Sequence, residues 1–389
     1  METVQASDLH FLENYFPQGI AEGEAFLGRE EEMSHLKQNI LTGHHTLLLG
    51  HRRYGKTSLV KRVLKTLGLP YGEANFYIAQ TERSVELKLV ELIQLITNQV
   101  LGHKPESLMI KAATYFAKKK KKWSFGIKGL IGVEFLPESE GDIPDNILVA
   151  LDFLEGLLAE LNTKAVLFLD EIQEIIRIEN GFALQGAIRE CAQKSRHIVF
   201  IFSGSNRGLL GKMFDDRSMP LYELCERLTL SRISQEAYTA YINQIAIKTK
   251  EGPLDSSTMQ KIFELSGLHP KRVYNLCYQL WLEYPDCSIT SEQVEDTWDR
   301  WVRSKLDMIR GQLKRLSSGA IKVLMMIVEH QIVSLTGRLA QNKVGMSGPS
   351  ILHAVRSLEQ EDIVCRERED YQIVDPVIRT ALLKYERLN

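Results

Sequence analysis

Gly50-His51-Arg52-Arg53-Tyr54-Gly55-Lys56-Thr57-Ser58 is the run whose residue types and spacing most directly specify chemistry. It has the form G-x-x-x-x-G-K-T, and it sits between a short apolar strand, Thr46-Leu47-Leu48-Leu49, and a segment with helical periodicity through Leu67. Glycines at 50 and 55 allow the backbone to wrap closely around phosphates, while successive N–H groups and the positive end of the helix at Lys56 point at an anion. Lys56 would then supply a charge to the β and γ phosphates, and the Thr57 hydroxyl is placed to ligate Mg²⁺. An ordinary Gly-rich turn is the bland alternative, but the strand before and the helix after argue against it.

A second group of chemical residues follows the apolar run Ala165-Val166-Leu167-Phe168-Leu169, which ends in Asp170-Glu171. Acids at the carboxyl end of a buried parallel strand lie where ligands bind in open α/β sheets. Asp170 would hold Mg²⁺, directly or through water, and Glu171 would polarise an attacking water. Alternatively, the two acids simply cap a helix from Ile172 to Ile178, where negative charge suits the N-terminus. A further strand, Ile198 to Phe202, ends in Ser203-Gly204-Ser205-Asn206-Arg207, whose polar tips could sense a γ phosphate or orient the water. Asn206 or Ser205 is the expected reporter, and plain turn chemistry is the competing explanation. Arg207 and Arg217 are candidates to meet the γ phosphate, in cis or from a neighbouring subunit.

The elements that must position these residues are an α/β domain and two helical units. Phe76-Tyr77-Ile78-Ala79 reads as a strand, followed by an amphipathic helix from Ser84 to Leu101. Lys118 to Lys122 precede a glycine-alternating segment, Trp123 to Phe135, which reads as a β-hairpin insertion at about 117–140. The lysine run is most simply a solvated helix end, with nucleic acid or an acidic partner as the second reading. From Ser234 the strand signals stop. Helices over Gln235–Lys248, Ser256–Leu265, Lys271–Tyr284 and Ser291–Arg303 form an expected lid, and Gly267-Leu268-His269-Pro270 breaks one helix and starts the next. The last unit has helices Ser318–His330, Gly337–Gln341 and Pro349–Gln360 and strands Ile363–Cys365 and Tyr371–Val374, which is the order of a winged helix. The expected boundaries are therefore 1–232, 233–305 and 315–389.

Composition bounds the function classes. At 389 residues, 44% hydrophobic and 25% charged, the chain has the material for two or three folded domains. With Lys plus Arg at 48 and Asp plus Glu at 50, no whole-chain field draws it to nucleic acid or to an anionic membrane. From Arg315 to Asn389, ten basic residues face nine acidic ones, with acids clustered at the wing. DNA affinity rests mainly on phosphate neutralisation, so this balance favours docking to protein over DNA, although DNA stays open. No apolar run reaches the length of a membrane span, and Met1-Glu2-Thr3-Val4-Gln5 has neither the basic region nor the apolar core of a leader, so the expectation is a cytoplasmic protein without membrane contact. Five scattered cysteines with no C-x-x-C pair suit reduced thiols.

Taken in order, Phe26-Leu27-Gly28-Arg29-Glu30-Glu31-Glu32, Gly50 to Ser58, Leu167 to Glu171, Ser203-Gly204-Ser205, Pro220-Leu221-Tyr222, Gly267 to Pro270 and Val374-Asp375-Pro376-Val377 resemble the archaeal-type ATPases. These are similar to the STAND class of signal-transduction NTPases, P-loop proteins related to the AAA+ initiator ATPases. The resemblance implies an α/β fold with a P-loop NTPase parallel sheet flanked by helices, then an all-α lid and a winged-helix domain. It also implies ATP and Mg²⁺ as cofactors, slow regulatory hydrolysis, and a switch coupled to a protein partner or to self-assembly, with an ATP-regulated DNA-binding regulator or loader as the alternative. By position it puts Gly28 and Arg29 near the adenine or its phosphates and Gly50, His51, Arg52, Arg53, Tyr54, Gly55, Lys56, Thr57 and Ser58 around the phosphates. Asp170 falls on Mg²⁺, Glu171 acts as catalytic base, and Pro270 lies in the nucleotide-sensing lid. The chain departs from the family pattern after Leu221-Tyr222, which runs into Glu223-Leu224-Cys225-Glu226-Arg227 and so displaces the arginine often found there.

Overall fold

Two apolar runs set the centre of the fold. In the computed structural model, residues 165–170 and 198–203 are buried at every position, as strands covered on both faces must be. The structure describes residues 12–102, 110, 114–115, 123–128, 132–137, 142–250, 252–285, 287–330, 335, 337–367 and 370–385. The chain divides into two compact units, one of Glu31–Gly50 with Leu59–Thr229, the other of Met1–Glu30, His51–Ser58 and Leu230–Asn389.

The first is the sheet unit. It runs α1 (Glu30–Thr42), β1 (Thr46–Leu49), α2 (Lys56–Leu67), β2 (Tyr71–Asn75), α3 (Glu82–Leu101), β3 (Trp123–Lys128), β4 (Gly132–Pro137), α4 (Ile143–Glu160), β5 (Ala165–Asp170), a 3-10 turn (Ile172–Arg177), α5 (Gly181–Lys194), β6 (Ile198–Ser203), α6 (Arg207–Asp215) and β7 (Glu226–Thr229). Five strands form one sheet in the order β2-β5-β6-β1-β7, and every pairing in it is parallel. Its core joins the inner faces of β5 and β6 to α3, α4 and α5 through Leu89, Ile93, Leu151, Leu154, Leu184 and Ile188, each fully buried. Burial of side chains of this size stabilises by about 1.5–3 kcal/mol apiece.

Because the strands are parallel and in register, β1, β5 and β6 finish at one edge. Asn75 pairs with Asp170, Leu169 with Phe202, and Leu48 with Ser203. Gly50, Asp170 and Ser203 therefore come to the carboxyl edge of the sheet from strands far apart in sequence. β3 and β4 form the expected antiparallel hairpin, separate from the main sheet. The preceding lysines, Lys118 to Lys122, lie outside the described residues.

One strand differs from expectation. The second strand is Tyr71–Asn75, not Phe76–Ala79, which forms a turn closed by Ala79 N–H donating to the Phe76 carbonyl at 2.9 Å. β2 is an edge strand buried on one face only, so it tolerates Gly72, Glu73 and Asn75, while Tyr77 and Ile78 of the apolar run are 60% and 71% exposed. Residues 172–177 likewise form a 3-10 turn in place of the expected helix.

The second, helical unit contains α7 (Gln235–Thr249), α8 (Ser256–Ser266), α9 (Pro270–Glu283), α10 (Ser291–Arg303), α11 (Leu306–Leu313), α12 (Ser318–His330), α13 (Arg338–Val344), α14 (Gly348–Gln360), the hairpin β8 (Val364–Glu367) and β9 (Asp370–Ile373), and α15 (Pro376–Lys384). Local chemistry fixes its helix starts. Asp255 caps α8 through the N–H groups of Ser257 and Thr258, Thr290 and Gln293 close a capping box on α10, and Pro270 opens α9. A single apolar cluster spans the unit from Phe16 through Tyr238, Leu280 and Trp298 to Leu324, Leu358 and Leu382. Among the described residues, no helix is long and apolar enough to cross a membrane.

Arg272 and Asp375 tie α9 to α15. Arg272 Nε donates to Asp375 Oδ1 at 2.8 Å, its Nη2 to Oδ2, and its guanidinium lies 5.1 Å from the centre of the Trp301 ring. Asp375 also caps α15 through the Val377 N–H at 3.1 Å. Burial, the largest influence on this carboxyl, would raise its pKa, but the hydrogen bonds and charge of Arg272 outweigh it and hold it below the usual range. Asp375→Ala would leave a guanidinium buried without its partner and remove the cap, and is expected to destabilise the unit by about 3 kcal/mol or more, read as a lowered urea midpoint.

Candidate functional site

Gly50 belongs to the sheet unit, and His51 to Ser58 of the phosphate loop belong to the helical unit. Two of the loop's residues adopt positive φ, Arg53 at 68° and Gly55 at 88°, which turns successive amides toward one side and lets α2 begin at Lys56. Tyr54 is the anchor. Its side chain is 2% exposed, its carbonyl accepts from Arg29 Nη2 at 3.2 Å, and its hydroxyl accepts from Arg232 Nε at 3.3 Å. The rings of His51 and His269 meet its ring edge-on at 5.2 and 5.1 Å. Arg29 is itself buried and also donates to the Ser231 carbonyl at 2.7 Å, while Ser58 Oγ accepts from the Ala21 N–H at 3.1 Å. The segment from Ala21 to Arg29 and the loop are thus fastened together.

Gly28 is required where it stands. Its φ is 63°, and a Cβ there would fall 2.7 Å from Cγ2 of Ile233. Lys56 is 7% exposed, and its Nζ donates to the His51 carbonyl at 3.2 Å. The start of α9 reaches the same group, since Arg232 Nη1 donates to the Gly267 carbonyl at 2.5 Å and His269 touches Tyr54. Pro270 is buried one residue beyond. The loop is strongly basic. Burial first, then Arg272 and Arg52, lowers the pKa of Arg53; burial first, then Arg53 and Arg272, pushes Lys271 down to about 8. Positive groups that depress one another are poised to accept an anion.

The acids lie in the sheet unit. Asp170, 7% exposed, accepts from Ser203 Oγ and from the Glu171 N–H at 3.1 Å on one oxygen, and from Asn75 Nδ2 at 3.2 Å on the other. Glu171 sits in the left-handed region, φ 53° and ψ 40°, a conformation that costs a non-glycine residue roughly 1 kcal/mol and clusters at functional positions. That turn sends its carboxylate to β6, where Oε2 accepts from the Ser205 N–H at 3.1 Å and Oγ at 2.9 Å, and from Gln173 Nε2 at 2.5 Å. Gly204 makes room, because a Cβ there would lie 1.8 Å from Gln173 Oε1.

Asn206, expected as a reporter, has its side-chain oxygen on the Leu209 N–H at 2.9 Å, capping α6. Arg207 begins that helix, and both it and Arg217 are exposed. The residues outside the motifs are Asn75, Gln173, Arg232 and Asp362, while His269 lies within the Gly267–Pro270 motif, which gave it no separate role. The first three are polar residues near motif positions, but only pairing across strands or helices shows what they hold. Among the described residues, no cluster of three or more His, Cys, Asp or Glu is arranged to bind a metal ion.

A profile of the family described as an ATPase domain predominantly from Archaea matches residues 26–276, from the segment before the loop to the middle of α9. The chain belongs to this family of archaeal ATPases. It is an ATP-hydrolysing enzyme of the P-loop class. Its fold is similar to that of the Walker-type ATPase paby2304 of Pyrococcus abyssi, at 19% identity and a TM-score of 0.67, with 94% of this chain and 98% of that chain covered. It is also similar to the ORC2 protein of Aeropyrum pernix in ADPNP–ADP complexes, at 14% identity and a TM-score of 0.54, with 91% and 94% covered. No curated protein sequence matches.

The buried His269 makes a pH signature for the archaeal ATPase. Burial first, then Arg272 and Arg232, pushes its pKa from 6.5 down to about 4 despite Asp375 nearby, and its Nδ1 has no hydrogen-bond partner. As pH falls, the unfolded state takes up the proton first. The stability of the neutral ring is therefore complete above about pH 6.5 and is lost between 6.5 and 4, by roughly 3 kcal/mol in total. Urea unfolding followed by tryptophan fluorescence at pH 7 and 4.5 should show a smaller loss for His269→Asn than for the wild type.

Proposed function

We propose that this archaeal ATPase is a molecular switch in which ATP on the phosphate loop changes the state of the helical unit, and slow hydrolysis resets it. One observation carries the proposal: Tyr54, buried inside the loop, contacts Arg232, just before α7, and His269, at the start of α9. A ligand that re-aims the loop acts on those helices without an intermediary. For the reaction we assign the loop amides from Gly50 to Ser58 and the Lys56 ammonium to the phosphates, with Gly28, Arg29 and Pro270 shaping the nucleotide's surroundings. Glu171 is the base that takes the proton of the attacking water, and Asn206 stays a candidate to orient that water through the start of α6. Thr57 and Asp170 would hold Mg²⁺, which neutralises charge on the phosphates when bound. A hydroxyl and one carboxylate suit an ion that keeps most of its shell as water and phosphate oxygen.

For the partner we favour a protein surface or a second copy of the chain over DNA. Supporting this is the mixed charge of the last 75 residues or so, which leaves little net positive charge to neutralise phosphates. The segment α12 to β9, with three helices and a hairpin, we read as a winged helix used for docking. Binding of duplex DNA at low salt, falling steeply as salt rises, would instead favour the DNA-regulator reading.

Glu171→Gln should bind ATP as tightly as the wild type and lose hydrolysis by about 10²–10⁴-fold, whereas Lys56→Ala should lose ATP affinity. Steady-state phosphate release and equilibrium binding of ATP measure both. Undiminished hydrolysis by Glu171→Gln would remove Glu171 from the role of base.

A further inference from the structure

The loop carries one more contact, from an acid that no part of the assignment above uses. Asp362 lies in the turn between α14 and β8, and its carboxylate spans the leading limb of the phosphate loop. Oδ1 is 2.7 Å from His51 Nδ1, and Oδ2 accepts the Arg52 backbone N–H at 3.2 Å. The side chain is held in place from behind. Asp362 has φ 54°, its N–H donates to the Glu359 carbonyl at 3.1 Å, and the next residue, Ile363, is 1% exposed and donates to the Leu358 carbonyl at 3.0 Å. The turn thus presents a fixed carboxylate, and a freely moving surface acid would not produce this paired geometry.

We infer that Asp362 is an internal anionic latch on the phosphate loop, which competes with the phosphates of ATP and must let go of His51 and Arg52 for nucleotide to bind tightly. The inference rests on the assignment of Gly50 to Ser58 to the phosphates. A carboxylate bonded to an N–H and to an imidazole of an anion-binding loop stands in for the ligand's own charge. His51 relays the effect, because its carbonyl is the group on which Lys56 Nζ rests. With the latch closed, Lys56 is held on the loop itself, and a triphosphate would meet a like charge beside its binding site. Apparent affinity is then the intrinsic affinity reduced by the fraction of molecules with the latch open. The latch also gives the last helices and hairpin direct control of the ATPase: a partner that draws the α14–β8 turn away raises affinity without touching the nucleotide.

The test uses the full chain and a fluorescent ATP analogue. Asp362→Asn removes only the charge, and Asp362→Gly removes the side chain; both residues accept positive φ, so the turn is preserved. The expected result is roughly ten-fold tighter binding and a higher basal rate of phosphate release for both, with the exposed neighbour variant Glu361→Gln unchanged. Equal or weaker binding by both Asp362 variants overturns the latch. Lys56→Ala separates the two levels of the argument. If it binds the analogue as well as the wild type, the loop assignment itself has failed; if it loses binding while the Asp362 variants equal the wild type, only the latch has failed.

Discussion

The buried ring of Tyr54 is the constraint on which the rest of the helical unit depends. A phosphate loop must be flexible enough to close on a ligand, yet this one carries a tyrosine that is 2% exposed and accepts hydrogen bonds on both its backbone carbonyl and its hydroxyl. Moving it means breaking contacts with Arg29, Arg232, His51 and His269 together. The loop is therefore held in one shape by Arg232, by the start of α9 and by the segment around Arg29, and not by its own residues alone. Interactions of this kind make a packed unit two-state instead of continuously deformable.

The acids show the opposite arrangement. Asp170 ends a strand buried at every position, so its carboxylate is fixed by the sheet itself and its oxygens are taken by Ser203, Asn75 and a neighbouring amide. Glu171, one residue later, departs from the strand through a left-handed turn and is held by Ser205 and Gln173. Two adjacent carboxylates thereby acquire different surroundings, one anchored for charge and one on a short polar tether. Neither is an equivalent cap of the turn that follows, to which Glu171 makes no side-chain capping bond.

Much of this was legible in the sequence, and the reason is periodicity backed by special residues. β1, β5 and β6 stand out because central parallel strands must be apolar throughout, and the helices from Gln235 to Arg303 because a capping side chain, or Pro270 in the first turn of α9, marks each start. β2 was displaced by five residues, since an edge strand needs only one apolar face and the stronger apolar run beside it, Phe76 to Ala79, is a turn. Of the candidate site, the loop and the two acids stand out in the sequence because a G-x-x-x-x-G-K-T run and paired acids at the end of an apolar strand are distinctive patterns. The partners were not: Asn75, Gln173, Arg232, His269 and Asp362 are ordinary polar residues whose role depends on what the fold brings to them. Asp362, 311 positions from His51, has no local signal at all.

Nucleotide on the loop should be felt directly in the helical unit. Hydrogen–deuterium exchange of the wild-type chain, alone and with Mg²⁺-ATP, tests it most directly. The expected result is slower exchange at the loop amides, 51–58, together with a changed rate at both the start of α9, residues 267–273, and the α14–β8 turn, residues 359–364. Protection of the loop with both of those segments unchanged would contradict it.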